Sequence, residues 1–513
     1  MGKPSRIEWF GVSRQVIQNN EAISVMVKKI NEKVLLLALS DDFWTPFVVD
    51  MVDKLASQGI EVVVAADSRV GEYQSFGRRI SYGCTVYYFS EYQLNNKDNI
   101  CFQNENISLD NDVLFSDYYR LYCYEAHIKL KKMNWNFLKK SLFAFFKHIF
   151  DSERIGIVLH DQVSTSFSYV CYSLAKIRGI EYFGLVGARV PGRYEIRKSI
   201  YNESDAVLNI FQDIITNRCP VTIEEQEWAR NFIKDIDDKV PSYMVGNFLC
   251  SVCFSAYINR SKLISFLRKF KYEIMENESR YMSGFKEPPL IASIRSVKRN
   301  LRRLVRRRSL DANEARIDEN WLVENKFWLY PVHYQPEAST SIGSPYFVDQ
   351  FDFIRNVAFS LPDNTFLIVK EHQAAIGYHY SNFYRDVANI PNVLLLGVNW
   401  NIKDLIRWSQ GVITLTSTAG FEALLLGKSV YMFGDAFYSF HPRCKTIKSW
   451  DELRLVVRNS NNNGVTCSSE DFLVAYRRYT REGAINYSKN AWDIGDDLLR
   501  ILVKTLNHRV EIG

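Results

Sequence analysis

Short apolar runs alternate with amphipathic segments in both halves of the chain, and each run has the length of a buried strand. Strands that alternate with helices favour parallel, doubly wound sheets. We therefore predict an α/β protein with two Rossmann-like domains. The predicted strands are Lys33–Ser40, Ile60–Ala66, Thr85–Phe89, Ile155–Leu159 and Glu181–Val186 in the first half, and Lys326–Tyr330, Thr365–Lys370, Val393–Leu396, Val412–Leu415 and Ser429–Phe433 in the second.

The alternation is lost between residues 205 and 315, where the sequence is charged and helical in spacing. This break predicts a first domain over residues 1–315, with a helical insertion at about 205–315, and a second domain over residues 316–480. Residues 481–513 are expected to form a C-terminal helix that packs back across the domains, with helical spacing over Ala484–Leu506.

Composition agrees with a soluble protein of two domains. The chain has 513 residues, of which 47% are hydrophobic and 24% charged. No apolar run reaches the roughly 18 residues of a membrane span, and the N-terminus lacks a signal pattern, so we expect a cytoplasmic protein. Cys250 and Cys253 have zinc-like spacing but lack a second pair, which favours buried thiols and no metal site.

Polar residues follow four predicted strands of the second domain, and a parallel sheet brings such loops to one edge. A helix that begins after Thr416, Ser417 and Thr418 offers its N-terminus to an anion, and Glu422 in its first turn could accept hydrogen bonds from ribose hydroxyls. We expect a nucleotide site there. The alternatives are that the hydroxyls only cap the helix and that the histidines are structural. The other polar residues of these loops are His333, Gln335, Glu337, Lys370, His372, Asn399 and Trp400.

The stretches YPVHYQPEAST (330–340), VKEHQ (369–373) and TSTAGFEALLLGKSVYMFG (416–434) resemble the capsule polysaccharide biosynthesis proteins. That family includes bacterial Kdo transferases and relatives of the GT-B sialyltransferases. The resemblance implies a GT-B-like fold with two Rossmann-like domains facing a cleft and CMP bound by the second. It implies that His372 supports the phosphate, that Ser417 and Thr418 contact it, and that Glu422 holds the ribose. Gln373 stands where the family has proline.

The catalytic carboxylate is expected in the first domain, because glycosyl transfer needs a base or a nucleophile near the anomeric carbon. Asp161 follows a predicted strand directly after His160, and both are candidates; the alternative is that Asp161 caps the next helix. Asp41 and Asp42 end another strand and are the second choice. Arg189 and Arg193 could pair with a carboxylate on the donor or a phosphate on the acceptor. The alternative is that Pro191, Gly192 and Arg193 only shape a turn.

Lys298–Arg308 contains seven basic residues and no acid. On a helix, Leu301, Leu304 and Val305 would share one face, which suits an interfacial helix on anionic lipid. A solvated helix is the alternative. Nucleic-acid binding is disfavoured because no recognition motif accompanies the run.

The residue patterns favour an enzyme that uses a nucleotide, and the resemblance implies a glycosyltransferase that moves Kdo or a related ulosonic acid from a CMP-activated donor to a surface-polysaccharide or lipid-linked glycan. The enzyme is expected in the cytoplasm, peripherally on the inner face of the membrane, and without a cofactor beyond its nucleotide sugar. The alternatives are a UDP- or GDP-sugar-dependent glycosyltransferase, a non-hydrolysing sugar-nucleotide epimerase of the same fold, and a non-catalytic scaffold. The first βα turn lacks G-x-G-x-x-G, which argues against a nicotinamide or flavin enzyme.

Overall fold

A computed structural model describes most of the two domains. The described residues are 32–39, 44–69, 84–96, 109–123, 131, 133–201, 204–244, 317–459, 468–486, 491–494, 496–512 and fifteen helical positions between 263 and 310.

The first domain is built on an eight-stranded sheet in the order β14-β13-β6-β5-β4-β1-β2-β3. Strands β1 to β5 are mutually parallel, and β6, β13 and β14 extend the sheet in antiparallel fashion. The chain order reverses between β1 and β4, which is where open α/β sheets bind ligands. The bounds are β1 (Lys33–Ala38), β2 (Val62–Ala66), β3 (Thr85–Tyr88), β4 (Ile155–Asp161), β5 (Glu181–Gly187), β6 (Arg193–Arg197), β13 (Arg481–Asn486) and β14 (Ala491–Ile494).

Helices cover both faces of this sheet and bury its apolar residues in two cores. One core joins the sheet to α1 and the C-terminal α16, and the other joins it to α4 and α5. Alternate residues of a strand thus contribute to the two cores on opposite faces of the sheet. Strands buried on both faces are expected to be continuous runs of β-branched and aliphatic residues. The helices of this domain are α1 (Trp44–Ser57), α2 (Phe89–Asn95), α3 (Phe115–Cys123), α4 (Trp135–Ser152), α5 (Ser166–Ile177) and α16 (Asp496–Ile512).

The second domain has a fully parallel six-stranded sheet in the order β12-β11-β10-β7-β8-β9. This is the doubly wound Rossmann order, with its reversal between β7 and β10. The expected fold class is confirmed by the two sheets. The bounds are β7 (Phe327–Pro331), β8 (Phe366–Lys370), β9 (Val393–Leu396), β10 (Gly411–Thr414), β11 (Ser429–Met432) and β12 (Cys444–Thr446).

The helices between these strands lie on the two faces of the second sheet. Those of this domain are α8 (Glu319–Glu324), α9 (Ala338–Ser341), α10 (Gln350–Ala358), α11 (Phe383–Ala388), α12 (Ile402–Trp408), α13 (Thr418–Leu425), α14 (Trp450–Arg458) and α15 (Ser469–Tyr479). Among the described residues, none of the helices is both long enough and apolar enough to cross a membrane.

Residues 205–234 pack with the second domain. α6 (Asp205–Ile215) and α7 (Ile223–Lys234) contact α15, and their apolar faces join the core that contains Phe327 and Leu329 of β7. Two ion pairs, Arg478 with Glu225 and Arg230 with Glu470, hold α7 to α15. The start of the expected insertion thus forms part of the second domain's outer layer.

The C-terminal segment adds a hairpin before its helix. The helix expected over Ala484–Leu506 is wrong for residues 484–486 and 491–494, which form the second half of β13 and all of β14. Arg193 donates hydrogen bonds to the carbonyls of Arg477 and Thr480 and to the Thr480 hydroxyl. These bonds fix the end of α15 beside β6, so the following residues continue along the open edge of the first sheet.

Hydrogen bonds connect the carboxyl edge of the second sheet to the first domain. The Ser116 and Ser341 hydroxyls lie 2.9 Å apart, and the Tyr119 hydroxyl donates to the Val348 carbonyl. Ser341 and Val348 follow β7, whereas Ser116 and Tyr119 belong to α3 of the first domain. The loops expected to bind the nucleotide therefore face the other domain.

Candidate functional site

The N-terminus of α13 forms the centre of the site, directly after β10 at the reversal of the second sheet. Ser417 caps the helix, since its Oγ accepts a hydrogen bond from the Ala419 N–H at 3.1 Å. The predicted capping role is correct. The hydroxyl proton of Ser417 stays available to a ligand, because an accepting oxygen can still donate.

Thr416 and Thr418 differ in their surroundings. The buried Thr416 hydroxyl donates to the Ser339 carbonyl at 2.7 Å, and so ties this turn to the loop after β7. Thr418 is half-buried, and its hydroxyl lies 3.2 Å from the Tyr243 hydroxyl of the 3-10 turn Ser242–Met244. Thr416 is thus part of the framework of the site, and Thr418 lies where α13 meets the turn Ser242–Met244.

His333 and Gln335 lie within the framework of the site and do not face solvent as ligands would. His333 is buried, and its Nε2 accepts from the Leu415 N–H and lies 3.2 Å from the Thr414 hydroxyl. Burial lowers the pKa of His333 to about 3. Gln335 donates to the Val348 carbonyl and accepts from Gln350. Both side chains join the loop after β7 to its neighbours.

His372 presents one ring nitrogen towards open space. Its Nδ1 accepts from the Ala374 N–H at 3.1 Å, so in the neutral ring Nε2 carries the proton. The ring is half-buried and stacks on Tyr334, and among the described residues Nε2 has no hydrogen-bond partner. Burial lowers the pKa of His372. A neutral imidazole with a free Nε2–H can donate to a phosphate oxygen.

The loop that carries His372 is held by the buried side chain of Glu371 and by His379. Glu371 accepts from the His372 N–H at 2.7 Å, and its other oxygen lies 3.2 Å from His379 Nε2. Burial alone would raise the pKa of Glu371, but His379 and these hydrogen bonds outweigh it and hold that pKa below its usual value. The Lys370 ammonium donates to the Glu371 carbonyl, so it too lies at the base of this loop.

Glu422 and Glu337 are carboxyl groups surrounded by protein yet in contact with solvent. Glu422 is half-buried on α13, and no described residue forms a hydrogen bond with its carboxyl group. Burial raises the pKa of Glu422 to about 7, although Lys403 opposes the rise. Glu337 precedes α9 and is exposed on one side. Desolvation of its carboxyl group by the surrounding protein raises its pKa to about 7, although the positive charges of Arg120 and Arg189 oppose the rise. Such carboxyl groups can accept or donate hydrogen bonds near neutral pH.

Arg189 belongs to a buried ionic cluster where the two domains meet. Glu195 receives hydrogen bonds from Arg197 at 2.8 Å, from Arg189 at 3.4 Å and from the Tyr476 hydroxyl of α15. Burial would raise the pKa of Glu195, but the two arginines hold it below its usual value. The Arg189 Nε has no partner among the described residues, and the guanidinium lies near the rings of Tyr243 and Phe437.

Arg193 has a structural role in this arrangement, since its guanidinium joins β6 to the end of α15 as described above. The alternative that Pro191, Gly192 and Arg193 shape a turn is correct for the backbone of this stretch. Gly192 adopts φ +70°, a conformation that favours glycine, and its N–H donates to Ser242. Of the two arginines, Arg189 is the one whose guanidinium keeps a buried nitrogen without a partner.

The first domain places Asp161 at the carboxyl end of β4, at the reversal of its sheet. Asp161 is half-buried and accepts from the Gln162 N–H at 2.7 Å. The alternative that Asp161 caps the next helix is wrong, because Thr165 caps α5 through a reciprocal bond with Ser168. Asp41 and Asp42 lie outside the described residues.

His160 is buried in the first domain, with 1% of its surface exposed. The edge of its ring packs against Trp44, and burial lowers its pKa to about 3. The structure therefore places this side chain in the core of the first domain, and a catalytic role for His160 stays a prediction.

Arg120 and Tyr243 are residues of the site that the sequence did not single out. Arg120 lies on α3 and donates a hydrogen bond to the Ser164 carbonyl. Its positive charge lowers the pKa of Glu337 across the domain boundary. Tyr243 contacts Thr418 and Arg189. Neither residue has a motif around it, because each reaches the site through contacts between distant parts of the chain.

The basic run is helical at its described positions, and it has two unlike faces. Arg299, Arg303 and Arg306 lie against the loop that follows Glu371. Leu301 and Val305 are exposed, at 53% and 70%. Leu304 and the cysteines Cys250 and Cys253 lie outside the described residues.

Comparison with known proteins agrees with the motifs. Residues 252–442 match the model of a family described as capsule polysaccharide biosynthesis protein. The predicted resemblance is confirmed. This match includes the loops after β7, β8 and β10 that form the site.

Two relatives share shorter segments. Protein FixF of Sinorhizobium fredii is 32% identical over 119 residues, which are 22% of this chain and 27% of that protein. The lipopolysaccharide-processing protein LpsZ of Rhizobium meliloti is 39% identical over 75 residues, 14% of this chain and 17% of that protein. The chain thus aligns with less than a third of either relative.

Among solved structures, Thermosulfurimonas dismutans KpsC, a beta Kdo 2,7 transferase, superposes with a TM-score of 0.36 at 13% identity. The superposition covers 72% of this chain and 96% of that one. Because the score is low, the assignment of two Rossmann-like domains rests on the strand order of this protein.

Proposed function

We propose that this protein is a glycosyltransferase of capsule or lipopolysaccharide synthesis, and that its second domain binds the nucleotide of a CMP-activated donor sugar. The observation that carries the proposal is the free Nε2–H of His372 at the same sheet edge as the N-terminus of α13 and Glu422. These groups match a phosphate and a ribose in chemistry. The family match over the same loops supports this function.

In this proposal the donor phosphate accepts hydrogen bonds from His372, from the Ser417 hydroxyl and from the first N–H groups of α13. Glu422 accepts from the ribose hydroxyls. When the bond between the anomeric carbon and the phosphate oxygen breaks, CMP leaves with the electron pair. The positive end of the helix dipole and the imidazole N–H stabilise the charge that develops on it. No metal is needed for that step, so EDTA is expected to leave the rate unchanged.

The first domain supplies the group that acts on the sugar. Asp161 ends β4 at the reversal of the first sheet and is our candidate for the carboxylate beside the anomeric carbon. We propose that Arg189 pairs with the carboxylate of a ulosonic acid donor or with a phosphate of the acceptor, because its Nε is buried without a partner. The donor sugar is proposed to be Kdo or a related ulosonic acid, and the acceptor a surface polysaccharide or lipid-linked glycan.

Calorimetry with CMP, UDP and GDP tests the nucleotide assignment. We expect CMP to bind at least 10-fold more tightly than the other two. Preference for UDP or GDP would overturn the CMP assignment and favour another glycosyltransferase or an epimerase. Binding of none of the three would favour a scaffold. Transfer of a labelled sugar to an acceptor, against release of free epimerised sugar, separates the two enzyme classes.

We further propose peripheral contact with an anionic membrane through Lys298–Arg308. Two described stretches of helix expose apolar side chains at helical spacing, and Lys298 is exposed beside one of them. Apolar residues flanked by cations suit the boundary between lipid headgroups and acyl chains. The exposed apolar residues are Leu263, Ile264, Leu267 and Phe270 in the first stretch, and Ile294, Val297, Leu301 and Val305 in the second.

Co-sedimentation with vesicles of neutral lipid, with and without anionic lipid, tests this contact. We expect binding that needs anionic lipid, weakens with salt and falls at least 5-fold when Leu301 and Val305 are both replaced by serine. Equal binding of the double variant would show that this face does not meet the bilayer and that the helix is solvated.

A further inference from the structure

The arginines of the basic run are bonded to the loop that carries His372. Arg303 Nε donates to the Ile376 carbonyl at 2.8 Å, and its NH2 group donates to the Ala374 carbonyl at 3.3 Å. Arg306 donates to the His379 carbonyl at 2.6 Å and is 8% exposed. Two guanidinium groups therefore hold three carbonyls of one loop.

The loop is shaped to receive this helix. Gly377 adopts φ +89°, and a Cβ there would come within 2.6 Å of Arg303 Cγ and 3.1 Å of the Arg299 carbonyl. The guanidinium groups of Arg299 and Arg303 lie over the ring of Tyr378. Their Cζ atoms are 4.8 Å and 5.6 Å from the centre of the ring. Arg299, Arg303 and Arg306 are spaced by four and three residues, so they lie on one face of a helix.

A short chain of contacts leads from Arg303 to the imidazole. Arg303 binds the carbonyl of Ala374, and the N–H of Ala374 donates to His372 Nδ1. That bond makes Nδ1 the acceptor and leaves the proton on Nε2. Tyr378 also contacts Tyr334, which stacks on His372. Through these contacts the helix affects both the tautomer of His372 and the orientation of its ring.

We propose that Arg303 is a positioning residue for nucleotide binding, which acts by fixing the backbone of Ala374 at its carbonyl and, through the N–H of the same residue, the tautomer and orientation of His372. Arg306 and Arg299 assist it by holding the rest of the loop. This inference rests on the proposed nucleotide site. It gives the basic run a role on its inner face that is separate from any lipid contact of its outer face.

The test compares Arg303→Ala and Arg303→Lys with the wild type in CMP calorimetry. We expect Arg303→Ala to weaken CMP binding about 10-fold, or ~1.4 kcal/mol. Arg303→Lys should recover only part of the loss, because one ammonium cannot reproduce the guanidinium fork on two carbonyls. Lys326→Ala removes the same charge from an exposed residue at the start of β7, and should bind CMP like the wild type.

A double-mutant cycle with His372→Ala separates positioning from a general structural role. If Arg303 acts through His372, then Arg303→Ala should cost little in the His372→Ala background. The ¹⁵N shifts of His372 should also show a mixture of tautomers in the Arg303→Ala variant and one tautomer in the wild type.

Two results would overturn the inference: unchanged CMP affinity in both Arg303 variants, or full additivity with His372→Ala. Failure of the proposed nucleotide site looks different, because the wild type and Lys326→Ala would then not bind CMP either. If Arg303→Ala does not fold, Arg303→Lys alone still decides, since it keeps the charge and removes one of the two contacts.

Discussion

The carboxyl edges of the two sheets are built in opposite ways. In the second domain, buried side chains such as His333 and Thr416 hold the loops, and among the described residues none forms a hydrogen bond with His372 Nε2 or with the Glu422 carboxyl group. In the first domain, Glu195 accepts hydrogen bonds from Arg189, from Arg197 and from Tyr476 of α15, and Asp161 accepts from the N–H of Gln162. The comparison indicates that the second edge is preorganised for a ligand, whereas the first edge joins the domains and supplies the carboxylate.

Replacing Asp161 is expected to have the largest effect. Asp161→Asn keeps the size of the side chain and removes its charge, so transfer should fall at least ~1000-fold, as for other catalytic nucleophiles and bases. CMP affinity and the unfolding midpoint should hardly change, because the carboxylate acts on the sugar. Steady-state transfer and calorimetry measure the two effects.

Asp213→Asn serves as the control for this variant, since Asp213 is exposed and pairs with Arg218 at the surface. It should transfer at the wild-type rate. Near wild-type transfer by Asp161→Asn would pass the catalytic role to Asp41 or Asp42.

Replacing Glu195 should affect stability more than any change at the second edge. Glu195→Gln leaves Arg189 and Arg197 buried without their counter-charge, and removing one partner of a buried ion pair costs about 3–5 kcal/mol. Urea denaturation measures the loss. Glu482→Gln is the matched control: Glu482 pairs with Arg193 but is 89% exposed, so its loss should stay below about 1 kcal/mol. Similar losses in both variants would mean that the cluster does not hold the domains together.

Two histidines of the second edge should respond in opposite ways. His372→Ala is expected to weaken CMP binding about 10-fold with little change in stability, because its Nε2 has no hydrogen-bond partner in the part of the chain that the structure describes. His333→Ala should instead lower the free energy of unfolding by about 1–3 kcal/mol, because the buried Leu415 N–H loses its acceptor. Calorimetry and urea denaturation of both variants test the contrast. If His372→Ala destabilises the protein and keeps its CMP affinity, the assignment of framework and ligand residues is reversed.

The sequence predicted the parts of this molecule that local patterns determine. Apolar runs located β1 to β5 and β7 to β11, whereas β6 and β12 were not predicted. The small hydroxyl residues before Phe421 indicated the start of a helix, but α13 begins three residues earlier, at Thr418, so Glu422 lies in its second turn and not in its first as expected. The hairpin β13–β14 was missed because its pairing depends on β6, almost 300 residues earlier in the chain. For the same reason the sequence could not show that Arg303 binds the loop at residues 374–376, since no local pattern records contacts over such separations.

Glu422 offers the finest test of the comparison, through the pH dependence of stability. Its pKa is raised to about 7, so the folded protein keeps this carboxyl neutral at a pH where the unfolded chain ionises it. The cost is absent below about pH 4.5, grows as the pH rises, and is complete above pH 7, where it amounts to at most ~3 kcal/mol. Glu422→Gln avoids the cost, so without nucleotide it should be more stable than the wild type at pH 8 and equal to it at pH 4.5. The exposed Glu324 provides the control variant Glu324→Gln, which should show no such gain. Urea denaturation at the two pH values measures the difference, and an equal effect of Glu422→Gln at both would contradict a carboxyl group kept neutral by its surroundings. Saturating CMP should cancel the advantage of the variant at pH 8, because ribose hydroxyls then donate to the carboxylate that no protein group satisfies.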